Sequence, residues 1–309
     1  MSRKINNILI TGANGFVGQH LTREMVNNRY TLFGVGGHDL PASISSFFEK
    51  YISLDLLDAR SLEVLDFKNI DAVIHLAGLA AVGTSFDQPM KYIETNIGIE
   101  LNLFEAALKQ KAFPKFLIIS SGSLYDPNNR LPLTEESRVL PNSPYALSKI
   151  GQEQLASYYS TRQFECMVAR PFNHIGPGQG PGFIVPDLAE QITSARKNGA
   201  KYVRVGNLSV KRDYTDVRDI VRAYRLILES GFPGETYNVC SGLPVSGDDI
   251  LLGLMKAAGC KLDSIVDKNK FRPNDTAEVY GSYSKLNNDT GWKPEINLEQ
   301  TLNDVMSSM

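Results

Sequence analysis

The chain reads as an α/β protein built on a parallel sheet with helices on both faces. Three observations carry this. Apolar strand-like runs alternate with helical patterns through the first two-thirds of the sequence. The runs lack the polar alternation of a half-exposed strand, as expected when both faces are buried. A glycine-rich turn follows the first run at once and opens a helix.

The first strand is expected over about 5–10, from Ile8-Leu9-Ile10, and Thr11-Gly12-Ala13-Asn14-Gly15-Phe16-Val17-Gly18 follows directly. A helix is expected over about 15–27, with Val17, Leu21, Met25 and Val26 on one side. Gly12, Gly15 and Gly18 permit a tight turn, close backbone approach to a pyrophosphate and close helix–strand packing. The pyrophosphate would rest on free N–H groups at the helix start. Glycines alone are a weak signal, and the strand–glycine–helix order gives them meaning. Further strands are expected at about 30–35, 50–54, 70–76, 114–120 and 164–170, and helices at about 58–66, 88–110 and 144–163. Beyond residue 171, Pro171, Gly176, Pro177, Gly178, Gly182 and Pro186 mark a long loop at the sheet edge, where a substrate would be gripped. Helices then read at about 183–198, 217–230, 246–258 and 297–307. The 217–230 helix is expected to pack back on the sheet. The division is therefore residues 1–172 and 211–241 for a dinucleotide-binding domain, with 173–210 and 242–309 for a smaller, discontinuous substrate lobe.

Two residues carry the candidate chemistry. Tyr145 and Lys149 stand four apart, which on a helix places both side chains on one face. A free phenol, with a pKa near ~10, is a poor acid–base group at neutral pH. A fixed ammonium beside it is expected to lower that value, so that the phenol can exchange a proton with a hydroxyl or carbonyl. A second element is Ile118-Ile119-Ser120-Ser121-Gly122-Ser123-Leu124-Tyr125, a buried-type strand that delivers hydroxyls at its carboxyl end. Ligands of open α/β sheets bind at that edge. Ser121 could hydrogen-bond the same oxygen as Tyr145, although a serine there could equally cap a loop.

Composition excludes several classes. The net charge is −2 with no basic block, which argues against nucleic acid. No apolar run approaches the ~20 residues of a membrane span, and Met1-Ser2-Arg3-Lys4-Ile5-Asn6-Asn7 reaches the first strand too early for a signal peptide. Cys166, Cys240 and Cys260 are odd in number and widely spaced, which points to a reducing cytoplasm and away from a metal site. His20, His38, His75 and His174 show no metal spacing either, and His75, inside an apolar strand, reads as a satisfied core histidine.

Taken together, these residues resemble the extended short-chain dehydrogenase/reductase family, which holds the sugar-nucleotide epimerases, dehydratases and reductases. The resemblance runs through Asp71-Ala72-Val73-Ile74-His75-Leu76-Ala77-Gly78, Arg170-Pro171-Phe172-Asn173, Lys211-Arg212-Asp213-Tyr214, Val217-Arg218-Asp219-Ile220 and Thr290-Gly291-Trp292-Lys293-Pro294. Phe172-Asn173-His174-Ile175-Gly176-Pro177-Gly178-Gln179 and Tyr237-Asn238-Val239-Cys240-Ser241-Gly242 are most similar to the GDP-4-keto-6-deoxy-D-mannose reductases, which make GDP-D-rhamnose. The resemblance implies a Rossmann-type doubly wound fold and a catalytic set of Ser121, Tyr145 and Lys149. It places the dinucleotide on Gly12, Asn14, Gly15, Phe16, Val17 and Gly18, with Asp55 and the Leu56 amide at the adenine. Leu76, Ala77 and Gly78 would line the pyrophosphate side, Asn96 would join the site from the next helix, and Tyr145 and Lys149 would meet the nicotinamide end. Arg212 and Arg272 would bind the substrate diphosphate, with Asn173 and Ser123 also at the substrate. Phe33-Gly34-Val35-Gly36-Gly37-His38-Asp39 offers neither a carboxylate at the strand end nor an arginine for a 2′-phosphate, which tilts the choice toward NADP(H) over NAD(H).

Two departures narrow the chemistry. Dehydratases of this family place a glutamate base where Ser123 stands, and epimerase-reductases place cysteine there and a histidine near Phe183. Reductases of the proposed branch often carry an acid at the Ser123 position, so the serine is a departure from that branch too. Three functions remain open: an NAD(P)H-dependent C4-keto reductase of a GDP-linked 4-keto-6-deoxy sugar, a nucleotide-sugar 4-epimerase with tightly held NAD, and a cofactor-sensing regulator without catalysis. Surplus apolar residues on the 88–110 and 144–163 helices (Ile93, Ile97, Leu101, Leu103, Phe104, Leu108, Leu155 and Tyr159) are expected to pair two copies through a four-helix bundle, as similar enzymes do.

Overall fold

The structure, a computed structural model, describes residues 4–268 and 276–309. In chain order its first half runs β1 (Asn7–Thr11), α1 (Phe16–Asn27), β2 (Thr31–Gly36), α2 (Ala42–Ser45), β3 (Phe48–Ser53), β4 (Ala72–His75), α3 (Val82–Asp87), α4 (Pro89–Lys109), β5 (Lys115–Ile119) and α5 (Pro144–Ser160). The second half runs β6 (Cys166–Pro171), β7 (Asn173–Ile175), α6 (Ile184–Asn198), β8 (Tyr202–Val205), β9 (Lys211–Asp216), α7 (Val217–Ser230), β10 (Thr236–Val239), β11 (Pro244–Ser246), α8 (Gly247–Ala258), β12 (Asp263–Val266), β13 (Glu278–Val279), α9 (Ser284–Thr290) and α10 (Leu298–Ser307).

Among the described residues, seven strands form one parallel sheet in the order β10-β6-β5-β4-β1-β2-β3. The strand order reverses between β1 and β4, which opens a crevice at their carboxyl ends. Both faces of the sheet are covered, and this explains the apolar runs. Ile8 and Ile10 pack with Leu21, Met25, Ile220 and Tyr224 on one face. Leu9 points the other way, toward Val73, Leu103, Phe104 and Phe116. A third core gathers Ile175, Val185, Leu188, Ile192, Val205 and Leu254 beside the sheet's carboxyl edge.

The sequence phrases shared with the family turn out to be joints between segments. Asp219 of α7 accepts from the N–H groups of Glu295 and Ile296 at 2.9 and 2.8 Å, and its carbonyl accepts from the Trp292 indole at 3.0 Å. Asp213 of β9 is fully buried and accepts from Ser241 N–H, Ser241 Oγ and Gly242 N–H at 2.7, 2.7 and 2.9 Å. Arg170 of β6 forks onto Glu153 of α5 at 2.8 and 2.7 Å, and Ser120 Oγ donates to the same carboxylate at 2.5 Å.

Three expectations need correction. Residues 58–66 do not form an α-helix; short 3₁₀ turns at Ser61–Val64 and Phe67–Asn69 stand there. Asp58 and Asp66 accept from the N–H groups of Arg60 and Lys68, a local bond that competes with helix continuation. The sheet also gains β10, a short strand far along the chain that pairs with β6. Finally, Leu103, Phe104 and Tyr159 are consumed by their own core, where Phe104 stacks on Tyr159 with ring centroids 4.3 Å apart.

Candidate active site

The glycine turn occupies the crevice between β1 and β4. Gly12 has φ +69°, and a Cβ there would stand 2.9 Å from Ala77 N. A Cβ on Gly18 would lie 2.3 Å from the Gly12 carbonyl oxygen, so only glycine lets α1 pass this close under the turn. Thr11 Oγ1 accepts from Ala77 N–H at 3.0 Å and bonds His75 Nδ1 at 2.8 Å, tying the end of β1 to the end of β4. No side chain caps the start of α1 and no acid stands in its first turn. Its N–H groups therefore face the crevice, where they suit an anionic phosphate. Phe16 and Val17 are half-buried in that turn, and the half-buried Leu76 and Ala77 and the exposed Gly78 form the opposite rim.

At the far rim of β1, Asn14 and Tyr51 crowd Gly36 at the end of β2. A Cβ there would meet Tyr51 Oη at 2.8 Å and Asn14 Oδ1 at 2.9 Å. Asp55 is exposed just after β3 and accepts from Leu57 N–H at 2.9 Å, while the Leu56 side chain is buried beneath it. Asn96 is fully buried on α4. Its Oδ1 accepts from Leu79 N–H at 2.8 Å, and its Nδ2 donates to Leu79 O at 3.1 Å and Ser148 Oγ at 2.8 Å. Its carboxamide thus holds the Gly78–Leu79 turn against α5.

Ser121, Tyr145 and Lys149 converge where β5 ends. Ser121 caps the short turn after β5 and accepts from Ser123 N–H at 3.1 Å. Its Oγ also bonds Ser123 Oγ at 2.9 Å. Ser143 caps α5 by accepting from Ala146 N–H at 3.1 Å, with Pro144 opening the helix. Tyr145 and Lys149 follow on the inward face of that helix, both buried. Lys149 Nζ lies 5.8 Å from the centre of the Tyr145 ring. It donates to Ile119 O and to Gln152 Oε1, each at 2.8 Å.

The electrostatics differ from the sequence-based expectation. Burial raises the Tyr145 phenol to about 12, only partly offset by its hydrogen bond with Ser121. Burial lowers the Lys149 amine to about 8, against the pull of the Glu100 and Glu153 charges. Desolvation of the buried phenol dominates, and the neighbouring Tyr92 adds to the rise. Tyr145 is therefore a protonated donor at neutral pH. Burial, aided by the Lys149 charge, pushes His75 down to about 3, so it is neutral; its Nε2 has no hydrogen-bond partner among the described residues, which makes it only half satisfied. His174 stacks on Phe16 with its pKa lowered by burial.

The substrate candidates are more scattered. Asn173 is exposed at the start of β7, beside the end of β6. Arg212, on β9, donates to the carbonyls of Lys211 and Thr276 at 2.8 and 2.7 Å. Arg272 lies outside the described residues. Sequence reasoning missed Tyr92, whose ring meets Tyr145 edge-on at 6.5 Å, and the buried pair Glu100 and Gln152 behind Lys149. Glu100 had a readable signal, since it stands one turn after Asn96 on the buried face of α4.

Comparison with known proteins shows the family and the fold. A family model described as GDP-mannose 4,6 dehydratase matches residues 9–305. The chain belongs to that family, within the extended short-chain dehydrogenases/reductases. It is an oxidoreductase of that type. The GDP-6-deoxy-D-mannose reductase of Pseudomonas aeruginosa is 36% identical over 97% of this chain and 96% of its own. The solved structure of RMD from Pseudomonas aeruginosa complexed with NADPH superposes with a TM-score of 0.85 at 35% identity, covering 98% of both chains. The UDP-glucose 4-epimerase of Bifidobacterium longum, solved with NAD+ and UDP, gives a TM-score of 0.87 at 25% identity, again over 98% of both chains.

The glycine turn generates a direct prediction. Gly18→Ala forces a Cβ against the Gly12 carbonyl and must shift the turn or α1. Dinucleotide affinity, read by fluorescence titration, should fall at least about tenfold, the effect of ~1.4 kcal/mol. Unchanged affinity in a folded variant would show that the turn does not hold the pyrophosphate.

Proposed function

We propose that the protein is an NAD(P)H-dependent C4-keto reductase of a nucleotide-activated 4-keto-6-deoxy sugar. The substrate we favour is GDP-4-keto-6-deoxy-D-mannose, giving GDP-D-rhamnose or its C4 epimer. The observation that carries this reading is the Ser121/Tyr145/Lys149 cluster with a hydroxyl, and no carbon base, at Ser123. Ser123 Oγ is engaged with Ser121, and Phe183, at the start of α6, has no proton to exchange. The cluster is thus equipped for protonating an oxygen and lacks the base that dehydration or C3/C5 epimerisation requires. The 36% identical reductase supports the same substrate class.

The residues present fit a dinucleotide: the Gly12/Gly18 cradle and the uncapped α1 start suit its diphosphate, and we assign its adenine end to Asp55 and the Leu56 amide, just after β3. NADP(H) is favoured, because the Gly36-Gly37 strand end carries no carboxylate to repel a 2′-phosphate. When bound, the nicotinamide supplies hydride for the carbonyl carbon. Tyr145 then gives its proton to the developing O4 alkoxide, for which a neutral phenol is the right state. Ser121 steadies that oxygen, and Lys149 holds its charge beside the phenol. Lys149 also serves the nicotinamide ribose, and Asn173, Arg212 and Arg272 the sugar and diphosphate. The third core and the loops that Asp213 ties down form the lobe around the nucleotide sugar.

A 4-epimerase is the second reading, favoured by the fold match to the UDP-glucose 4-epimerases. NAD retained through purification and interconversion of C4 epimers without added reductant would select it. For the reductase, turnover of the GDP-linked ketone with NADPH is the test. Tyr145→Phe should lower kcat by roughly 10²–10⁴, the usual contribution of a positioned proton donor, and leave KM nearly unchanged. Near-normal kcat in the folded variant would remove Tyr145 from the chemistry.

We also propose a homodimer through α4 and α5. Leu147, Gly151 and Tyr158 share one face of α5, and Met90, Ile97 and Leu101 one face of α4; of these, Met90, Leu101, Leu147 and Tyr158 are exposed. A Cβ on Gly151 would come within 2.5 Å of Ile97, so the two helices present one continuous surface. Light scattering at micromolar concentration should give twice the 34.2 kDa chain mass. Leu101→Glu combined with Tyr158→Glu should return the monomer mass, and a monomeric parent protein would contradict the proposal.

A further inference from the structure

Tyr92 stands on α4 one turn before Asn96, and the two share the buried face of that helix. Asn96 holds Leu79 from there. Tyr92 holds the next stretch of chain. Its hydroxyl donates to Ala81 O at 2.7 Å and bonds Thr84 Oγ1 at 2.5 Å, and Thr84 Oγ1 also reaches Ala81 O at 3.1 Å. The Tyr92 side chain is buried, and its ring meets the Tyr145 ring with centroids 6.5 Å apart and planes at 87°. Edge-to-face is a preferred arrangement of two aromatic rings. Among the described residues this is the one aromatic contact that Tyr145 makes. A side chain that only filled the gap would need no hydroxyl. Here the bonds to Ala81 and Thr84 fix the plane of the Tyr92 ring, and the fixed ring backs the phenol.

We propose that Tyr92 is a positioning residue for Tyr145: its ring confines the phenol, and its hydroxyl anchors that ring to the turn that opens α3. The proposal rests on Tyr145 being the proton donor of the reading above. The other contacts of Tyr145 leave this task open. Its backbone carbonyl accepts from Ser148 Oγ at 2.8 Å, which holds the main chain and not the ring. Lys149 Nζ lies 5.8 Å from the ring centre, but its amine is turned to Ile119 O and Gln152 Oε1. The Tyr145 hydroxyl bonds Ser121, yet in the proposed reduction both hydroxyls turn to the substrate oxygen. The aim of the ring then depends on packing, which Tyr92 supplies from a second helix. A proton donor must stay within ~2.6–3.2 Å of the oxygen it serves. A ring free to shift spends less time in that range.

Turnover separates this role from a structural one. Tyr92→Leu removes both ring and hydroxyl. Its kcat should fall about ten- to a hundredfold, the scale of a ~1 Å misplacement at a reacting group, while KM for the nucleotide sugar stays within about twofold. Tyr92→Phe keeps the ring and should recover most of that loss. A merely structural Tyr92 would cost stability and leave the kcat of the folded protein unchanged. Unchanged kcat in Tyr92→Leu, an equal loss in both variants, or a rise in KM alone would overturn the proposal. A second measurement reads the ring without substrate. In protein carrying ¹³Cε-labelled tyrosine, the Tyr145 signals are assigned by their loss in Tyr145→Phe, and their line shapes give its ring-flip rate. That rate should rise severalfold in Tyr92→Leu and stay near the parent value in Tyr92→Phe. An unchanged rate in Tyr92→Leu would also overturn the proposal. If the parent protein did not reduce the ketone, the reductase reading would fall, and the flip rate would still decide whether Tyr92 confines Tyr145.

Discussion

A parallel sheet sets every strand to end on the same edge, and the proposed chemistry depends on that alignment. The β1, β4, β5 and β6 ends lie side by side by hydrogen-bonded register, Thr11 opposite His75 and Ile118 opposite both His75 and Val168. Loops leaving those ends bring the glycine turn, the Ala77–Leu79 rim, Ser121 and Asn173 to one crevice although they are far apart in sequence. Side chains behind the edge keep the loops in place: Thr11 bridges β1 to Ala77, Asn96 bridges Leu79 to α5, and Glu153 joins Ser120 to Arg170.

The second constraint is desolvation. Tyr145 and Lys149 are brought together by a helix whose inward face is dry, so each is displaced toward its neutral form. For a reduction this suits the phenol, which must arrive protonated. It works against the lysine, whose charge the proposed reading places beside the phenol and at the nicotinamide ribose. Around it, Glu153 is paired with Arg170, and the Lys149 amine donates to Ile119 O and Gln152 Oε1, each at 2.8 Å.

Strands were readable in the sequence wherever both faces are covered, as in Ile8-Leu9-Ile10, because burial on two sides removes polar residues altogether. The Tyr145/Lys149 spacing and the glycine turn were readable because helix geometry and φ leave few alternatives. The 58–66 segment misled because Leu62 and Leu65 are spaced as on a helix, while Asp58 and Asp66 close local turns that end it. Spacing shows which side chains meet and says nothing of how dry the meeting place is. The direction of the Tyr145 shift therefore emerged only from burial. Arg212 illustrates a further limit: a cation suited to a diphosphate is seen to donate to two carbonyls as well, which no sequence pattern announces.

The central claim is reduction at one carbon with the proton delivered to oxygen. The most direct measurement supplies 4-deuterated NADPH and GDP-4-keto-6-deoxy-D-mannose in ordinary water, with a parallel reaction of unlabelled NADPH in D₂O, and locates the label in the product by NMR. The account predicts deuterium from the cofactor at C4 alone and none from solvent at C3 or C5. Absence of the C4 label, or solvent deuterium at C3 or C5 above a no-enzyme control, would contradict it.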